Sequence, residues 1–216
     1  MSNKNYIGIF GGSFDPIHRG HIESLKNVIE KLNLSKVFVI PNKVSPLKEL
    51  SIASSFEKIK MLKIAFKDFK EIEIEDYELK KKGQSFMIET LQYLEKKLEK
   101  KKHLLLIIGE DAFQSLHHWK RYQEIMKMTS ILVMNRPGLN NTLTSNAIQL
   151  HQDSIENIHG NKIFEKGKIY FIRIKPNLAS SSYIRENIQN QKVLAENLDE
   201  NVLRYLKEHN IYHKND

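Results

Sequence analysis

Apolar residues recur along this chain with two alternating periods. Short, mostly apolar runs at Tyr6–Phe10, Val37–Ile40, Glu71–Ile74, His103–Ile108, Ile131–Met134 and Ile169–Ile174 read as buried strands. Between them the period lengthens. From Gly20 onward, Ile22, Leu25, Val28, Ile29 and Leu32 repeat at helical spacing, and further helical stretches begin near Ser54, Ser85, Asp111 and Asn141. Ser54 and Glu57 fit a capping box. Two helices are expected to close the chain, near Ser182–Asn190 and Asp199–Glu208, with Leu198, Val202, Leu203, Tyr205, Leu206 and Ile211 supplying core. Strand-then-helix alternation predicts βαβ units, hence an α/β fold with a doubly wound, mostly parallel sheet, helices on both faces and a helical C-terminal segment. No repeat or low-complexity linker interrupts it, so residues 1–216 read as a single domain. Only the stretch from Leu139 to Lys168, rich in Asn, Gln and His, shows weak periodicity and no motif.

Composition narrows the chemistry. The chain has no cysteine, which removes disulfides, thiolate metal sites and cysteine catalysis. Its longest unbroken apolar run, Leu104 to Ile108, is far too short to span a bilayer, and the first residues lack the apolar segment of a secretory signal. A cytoplasmic protein with no membrane partner is the expectation, and a homo-oligomer is compatible with the sequence. Lys and Arg number 34 against 26 Asp and Glu, a formal +8 that can steer anionic ligands. The lysines concentrate at Lys80–Lys82 and Lys96–Lys102, with Glu95 and Glu99 interleaved, as on a solvated helix face. Aromatic residues of the kind that line a single-strand groove are not interleaved there, so no nucleic-acid partner is expected.

The segment YIGIFGGSFDPIHRGHI, residues 6 to 22, carries the strongest chemical signal. Gly11 and Gly12 leave backbone bare at the end of a strand, Asp15-Pro16 turns the chain, and the helix from Gly20 aims free N–H groups and its positive dipole end at whatever lies there. His18 and His21 fall on one side of that opening. Such an arrangement suits a phosphate. No GxxxxGK[ST] loop or GxGxxG fingerprint occurs in the chain. Two surface histidines on a helix face, or a zinc site, are the competing readings of the pair; zinc lacks cysteines to complete a common ligand set.

The GGSFDP run followed by His18-Arg19-Gly20-His21 resembles the signature of the HxGH nucleotidyltransferase superfamily. Further segments, in order along nearly the whole chain, are similar to those of bacterial nicotinate-nucleotide adenylyltransferases. GEDAFQSLHHW, with Gly109, Asp111, Leu116 and Trp119, resembles their GxDxxxxLxxW segment; Arg136-Pro137-Gly138 matches their RPG turn; SSSYIR, Ser180 to Arg185, is similar to SSTxIR. The resemblance implies a Rossmann-like fold with His18, His21 and Arg185 as the catalytic set. It further implies ATP contacts from Gly11, Gly12, Ser13, Phe14, Gly20, Lys48, Gly109, Ser180, Ser182 and Arg185. The mononucleotide would be held by Ser85, Phe86, Met87, Asp111, Trp119 and Arg136, with Trp119 stacking on the pyridine ring. Each position also has a plainer reading: an N-cap for Ser180 and Asp111, core packing for Trp119, a solvent-facing side chain for Arg136. Two segments depart from the family pattern. PNKVSPLK stands where the family shows PPHK, keeping Lys48 but with Leu47 in place of the histidine, and SFMIETL stands for SYTxDTL, with Phe86, Met87 and Glu89 substituted.

The implied activity is adenylyl transfer from ATP to nicotinate mononucleotide, giving deamido-NAD and pyrophosphate. Mg²⁺ would accompany ATP, ligated mostly by phosphates and water. The acceptor phosphate is already an anion, so catalysis would rest on positioning and on charge neutralisation. Rival readings are a sister transferase acting on nicotinamide mononucleotide, phosphopantetheine or another phosphate acceptor, and a catalytically silent nucleotide-binding protein on the same fold.

Overall fold

The computed structural model describes residues 6–43, 52–98, 102–135, 141–156, 164–175, 177 and 179–212. Lys48 and Arg136, two expected phosphate contacts, lie outside them. A seven-stranded sheet of order β3-β2-β1-β4-β5-β7-β6 runs through the molecule. Its strands are β1 (Tyr6–Gly12), β2 (Val37–Pro41), β3 (Ile72–Ile74), β4 (His103–Gly109), β5 (Thr129–Asn135), β6 (Ile155–Glu156) and β7 (Ile169–Arg173). Every pairing is parallel.

A parallel sheet is buried on both faces, and the strands show why these runs are continuously apolar. Successive side chains feed opposite cores. Tyr6 and Phe10 of β1, Leu105 and Ile107 of β4, and Leu132 and Met134 of β5 join one cluster. Ile7 and Ile9, Leu104 and Leu106, and Ile131 and Val133 join the other. The first cluster is closed by α1 (Arg19–Leu32), α2 (Ser55–Ala65), α8 (Ser181–Glu186), α9 (Gln191–Asn197) and α10 (Glu200–Glu208). The second is closed by α4 (Met87–Lys97), α5 (Glu110–Gln114), α6 (Tyr122–Met128) and α7 (Asn141–Leu150). A single turn of helix, α3 (Tyr77–Lys80), follows β3.

Several expected boundaries move. The helix expected over Ser182–Asn190 is shorter: α8 ends at Glu186, and Asn190 instead caps a further helix, α9, by accepting from the Val193 amide at 3.2 Å. An Asn side chain that satisfies orphan amides starts a helix rather than ending one. The helix expected from Ser85 begins at Met87, with Phe86 at the N-cap, and Ser85 is buried ahead of it. Gly109, not Asp111, occupies the N-cap of α5. Within the stretch of weak periodicity, the helix expected near Asn141 forms as α7, and the two-residue edge strand β6 follows it unannounced.

Candidate active site

Chain order reverses between β1 and β4. From β1 the chain runs outward through β2 and β3, then returns to lay β4 on the other side of β1. The crevice beyond the carboxyl ends of these two strands is where open α/β sheets bind ligands. Gly11 and Gly12 end β1 there, and Gly109 ends β4.

The glycines make room for specific neighbours. A Cβ on Gly12 would come within 2.9 Å of the Phe14 ring, and one on Gly11 within 3.0 Å of the Met87 methyl, so the start of α4 closes over the end of β1. On Gly109 it would meet the Asp111 carboxylate at 2.6 Å. The loop from Ser13 to Ile17 then dives into the protein: Phe14, Asp15, Pro16 and Ile17 are all buried, Phe14 adopts a left-handed φ of 46°, and the Asp15–Pro16 peptide is cis.

His18 is the N-cap of α1 in extended conformation, and its side chain does not cap the helix amides. Its ring stacks on His21 with centroids 3.7 Å apart and planes 27° from parallel. The edge of His21 meets Phe14 at 5.1 Å, which gives the buried Phe14 its place in the site. Gly20 exists in this turn because a Cβ there would lie 3.0 Å from His18 Nδ1. The sequence thus places both imidazoles at the start of a 14-residue helix, against the end of β1.

The third expected motif packs against the same loop. Ser180 caps α8, accepting from the Tyr183 amide at 3.5 Å. Arg185 Nη1 donates to the Asp15 carbonyl at 2.6 Å, its Nη2 reaches the Ser182 hydroxyl at 3.4 Å, and Ser181 donates to the Pro16 carbonyl at 2.9 Å. Hence His18, His21, Gly11, Gly12, Ser182 and Arg185, drawn from both ends of the chain, form one neighbourhood.

Of the residues expected to hold the mononucleotide, Met87 lies against Gly11 and Asp111 against Gly109, and Arg136 lies outside the described residues. The Ser85 hydroxyl accepts from the Lys43 amide at 3.2 Å. Lys120 sits 3.9 Å over the Phe86 ring and 3.2 Å from Glu89, and Lys81 also pairs with Glu89. The hydrogen bond from Lys81 holds the Glu89 carboxyl below its ordinary range. Trp119 is half-buried, with one part packed on the second core, and Asp111 is exposed in the first turn of α5. His118 is exposed and His117 is half-buried in a 3₁₀ turn.

Sequence reasoning missed two buried charges here. Asp15, read as half of a turn, is 4% exposed, and its carboxylate accepts from the amides of Ile52 at 2.9 Å and Ala53 at 3.0 Å. Lys58 of α2 is buried with its ammonium on the Asn42 carbonyl at 2.9 Å; burial pulls its pKa down, and the Asp15 charge opposes that. An acid and an amine set among apolar residues were the available signal. Among the described residues no group of three or more histidines and carboxylates could hold a metal ion, and the Asp15 oxygens are already engaged by amides. A hard cation fits these residues as the companion of a phosphate ligand.

Comparison with known proteins agrees with the fold. Residues 9–187 match the cytidylyltransferase-like family model. A probable nicotinate-nucleotide adenylyltransferase of Klebsiella pneumoniae is 31% identical over 209 residues, covering 94% of this chain and 95% of its own length. One from Aquifex aeolicus is 41% identical over 131 residues, 61% of this chain and 77% of that protein. The solved Plasmodium falciparum nicotinic acid mononucleotide adenylyltransferase complexed with NaAD shares the fold, with a TM-score of 0.74 at 18% identity over 96% of this chain and 97% of that one.

Proposed function

We propose, from the premise that this chain belongs to the nicotinate-nucleotide adenylyltransferase family within the cytidylyltransferase-like proteins, that it transfers the adenylyl group of ATP to nicotinate mononucleotide. An oxygen of the mononucleotide phosphate attacks the α-phosphorus, the bond from that phosphorus to the bridging oxygen breaks, and pyrophosphate leaves. Deamido-NAD is the product, which places the protein in NAD biosynthesis. The observation that carries this reading is the stacked His18–His21 pair at the N-terminus of α1, set at the strand-order reversal with Arg185 beside it.

In this reading His18 and His21 donate hydrogen bonds to the triphosphate, helped by the backbone of Gly11–Ser13 and the α1 dipole. Phe14 and Gly20 fix the two rings. Ser182, Arg185 and Lys48 hold the departing pyrophosphate, with Ser180 and Gly109 shaping the same wall. Trp119 offers its exposed face to the pyridine ring, Asp111 accepts from ribose hydroxyls, Arg136 meets the acceptor phosphate, and the Ser85–Met87 turn meets the ring substituent. Family members use a divalent metal with ATP; Mg²⁺ is the proposed ion, which would arrive with the triphosphate and would lower its charge. The one continuous sheet supports a single nucleotidyltransferase domain. Among the described residues no helix is long and apolar enough to cross a membrane, and we place the protein in the cytoplasm.

Pyrophosphate release from ATP and Mg²⁺ tests the reading, with nicotinate mononucleotide, nicotinamide mononucleotide and phosphopantetheine offered in parallel. Release fastest with nicotinate mononucleotide is expected. Release only with phosphopantetheine, or ATP binding without turnover on any acceptor, would overturn it.

A further inference from the structure

Asp15 ties together parts of the chain that lie far apart in sequence. Besides the Ile52 and Ala53 amides, its carboxylate accepts from the Tyr212 hydroxyl at 2.7 Å, across 197 positions. Its own carbonyl takes Arg185 Nη1, and the next carbonyl, that of Pro16, takes Ser181. One buried peptide therefore joins the phosphate loop, the approach to α2, the arginine of α8 and the turn after α10.

The route by which Tyr212 arrives points the same way. Asn210 and Tyr212 both sit in the left-handed region, at φ 50° and 70°, which non-glycine residues adopt at a cost. Ile211 between them is buried, with its amide on the Leu206 carbonyl at 3.1 Å. Phe14, next to Asp15, is left-handed too. Asn210 is the left-handed cap that ends α10, closed by the Ile211 amide on Leu206. Phe14 and Tyr212 are instead held left-handed by surrounding contacts, one at each end of the same hydrogen bond. Burial and the Asp15 charge push the Tyr212 hydroxyl far above the ordinary tyrosine range, while the Arg185 guanidinium opposes them. The phenol therefore stays protonated and donating at any working pH.

Arg185 gains from this. A guanidinium clamps phosphate best when its plane is set beforehand, because less freedom is lost on binding. One N–H already rests on the Asp15 carbonyl, so the orientation of that peptide is the orientation of the clamp.

We propose that Tyr212 and Asp15 are positioning residues for the triphosphate grip: the phenol–carboxylate contact fixes the Asp15 peptide, and through it Arg185, so the turn after α10 sets affinity for the phosphate chain of ATP without touching it. The identity of the nucleotide rests on the adenylyltransferase reading; the coupling rests on the geometry alone.

Calorimetric titration of the full chain with ATP and with inorganic pyrophosphate separates the two. Tyr212→Phe is expected to weaken both ligands about tenfold, the scale of losing one hydrogen bond to a charged group. The KM for nicotinate mononucleotide should stay within about threefold, while kcat at saturating ATP should fall with the clamp, since Arg185 also holds the departing pyrophosphate. Asp15→Asn should reproduce the loss, and the double variant should bind ATP no more weakly than the worse single one, as residues of one network do not add. Affinities for ATP and pyrophosphate within about twofold of the parent, beside a lowered Tm, would make the contact structural only and overturn the proposal. Should Asp15→Asn not fold, Tyr212→Phe decides alone. A parent that binds ATP and pyrophosphate yet releases nothing with nicotinate mononucleotide defeats the adenylyltransferase reading, while the titrations still decide the coupling.

Discussion

The stacked imidazoles of His18 and His21 depend on three neighbours. Gly20 leaves space for the His18 ring, Phe14 supports the edge of His21, and Gly12 leaves space for Phe14. A β-carbon at either glycine would push a side chain that itself touches a histidine, so the spacing GGSFDPIHRGH is a packing requirement as much as a chemical one. His21 is half-exposed where His18 is buried, and it is the ring better placed to reach a ligand. His21→Ala is expected to lower kcat by about 10² to 10³, the usual loss for one preorganised donor to developing charge. Stability should change little, because a half-exposed ring contributes only part of its area to the core. Turnover within about threefold of the parent would remove His21 from the mechanism.

At the level of elements, α2 shows how a helix end serves the site. Ser54 accepts from the Glu57 amide at 3.2 Å, and Glu57 accepts from the Ser54 amide at 2.6 Å, the reciprocal pair the sequence predicts. The two residues just before this cap are the ones whose amides bind Asp15. Ser54→Ala should therefore cost about 1 kcal/mol of stability in urea and also loosen ATP binding slightly. A stability loss with unchanged ATP affinity would show that the cap and the Asp15 anchor act independently. The capping box was legible because both partners lie within four residues. The strands were legible because burial on both faces makes them continuously apolar, and the phosphate loop because its residues are contiguous. Other features were not. The strand β6 has two residues and the helix α3 four, too few to show a period. The break between α8 and α9 depends on whether Asn190 caps or continues, a tertiary decision. Tyr212 on Asp15 spans 197 positions, and no local pattern announces a pairing at that distance.

Over the whole molecule, the sheet separates two cores, and their buried ionisable groups give stability a dependence on pH. His103 in β4 has Nε2 2.8 Å from the Ser130 hydroxyl; burial, then the Lys166 charge, hold its pKa below the ordinary value. His151 after α7 is lowered by burial and then by His117. Since the folded pKa of each lies below the unfolded value of about 6.5, the unfolded chain binds more protons once pH drops under that value. The stability both contribute is complete above about pH 6.5 and is lost as pH falls toward the folded pKa values. Glu78 runs the other way. It is buried, accepts from the Thr90 hydroxyl at 2.5 Å, and burial raises its pKa, so its ionisation destabilises the fold as pH rises past about 4.3. Urea unfolding at pH 7.5 and at pH 5.5 should show the histidine effect, with the parent weaker at the lower pH by roughly 1 kcal/mol, a usual scale for single sites. His103→Gln, with a neutral side chain that retains hydrogen-bonding capacity toward Ser130, should shrink that difference. Glu78→Gln should instead leave that difference no smaller, because the buried carboxyl it removes costs stability only as pH rises. A parent equally stable at both pH values, with no change of slope in either variant, would mean that neither core holds these groups away from water as the structure places them.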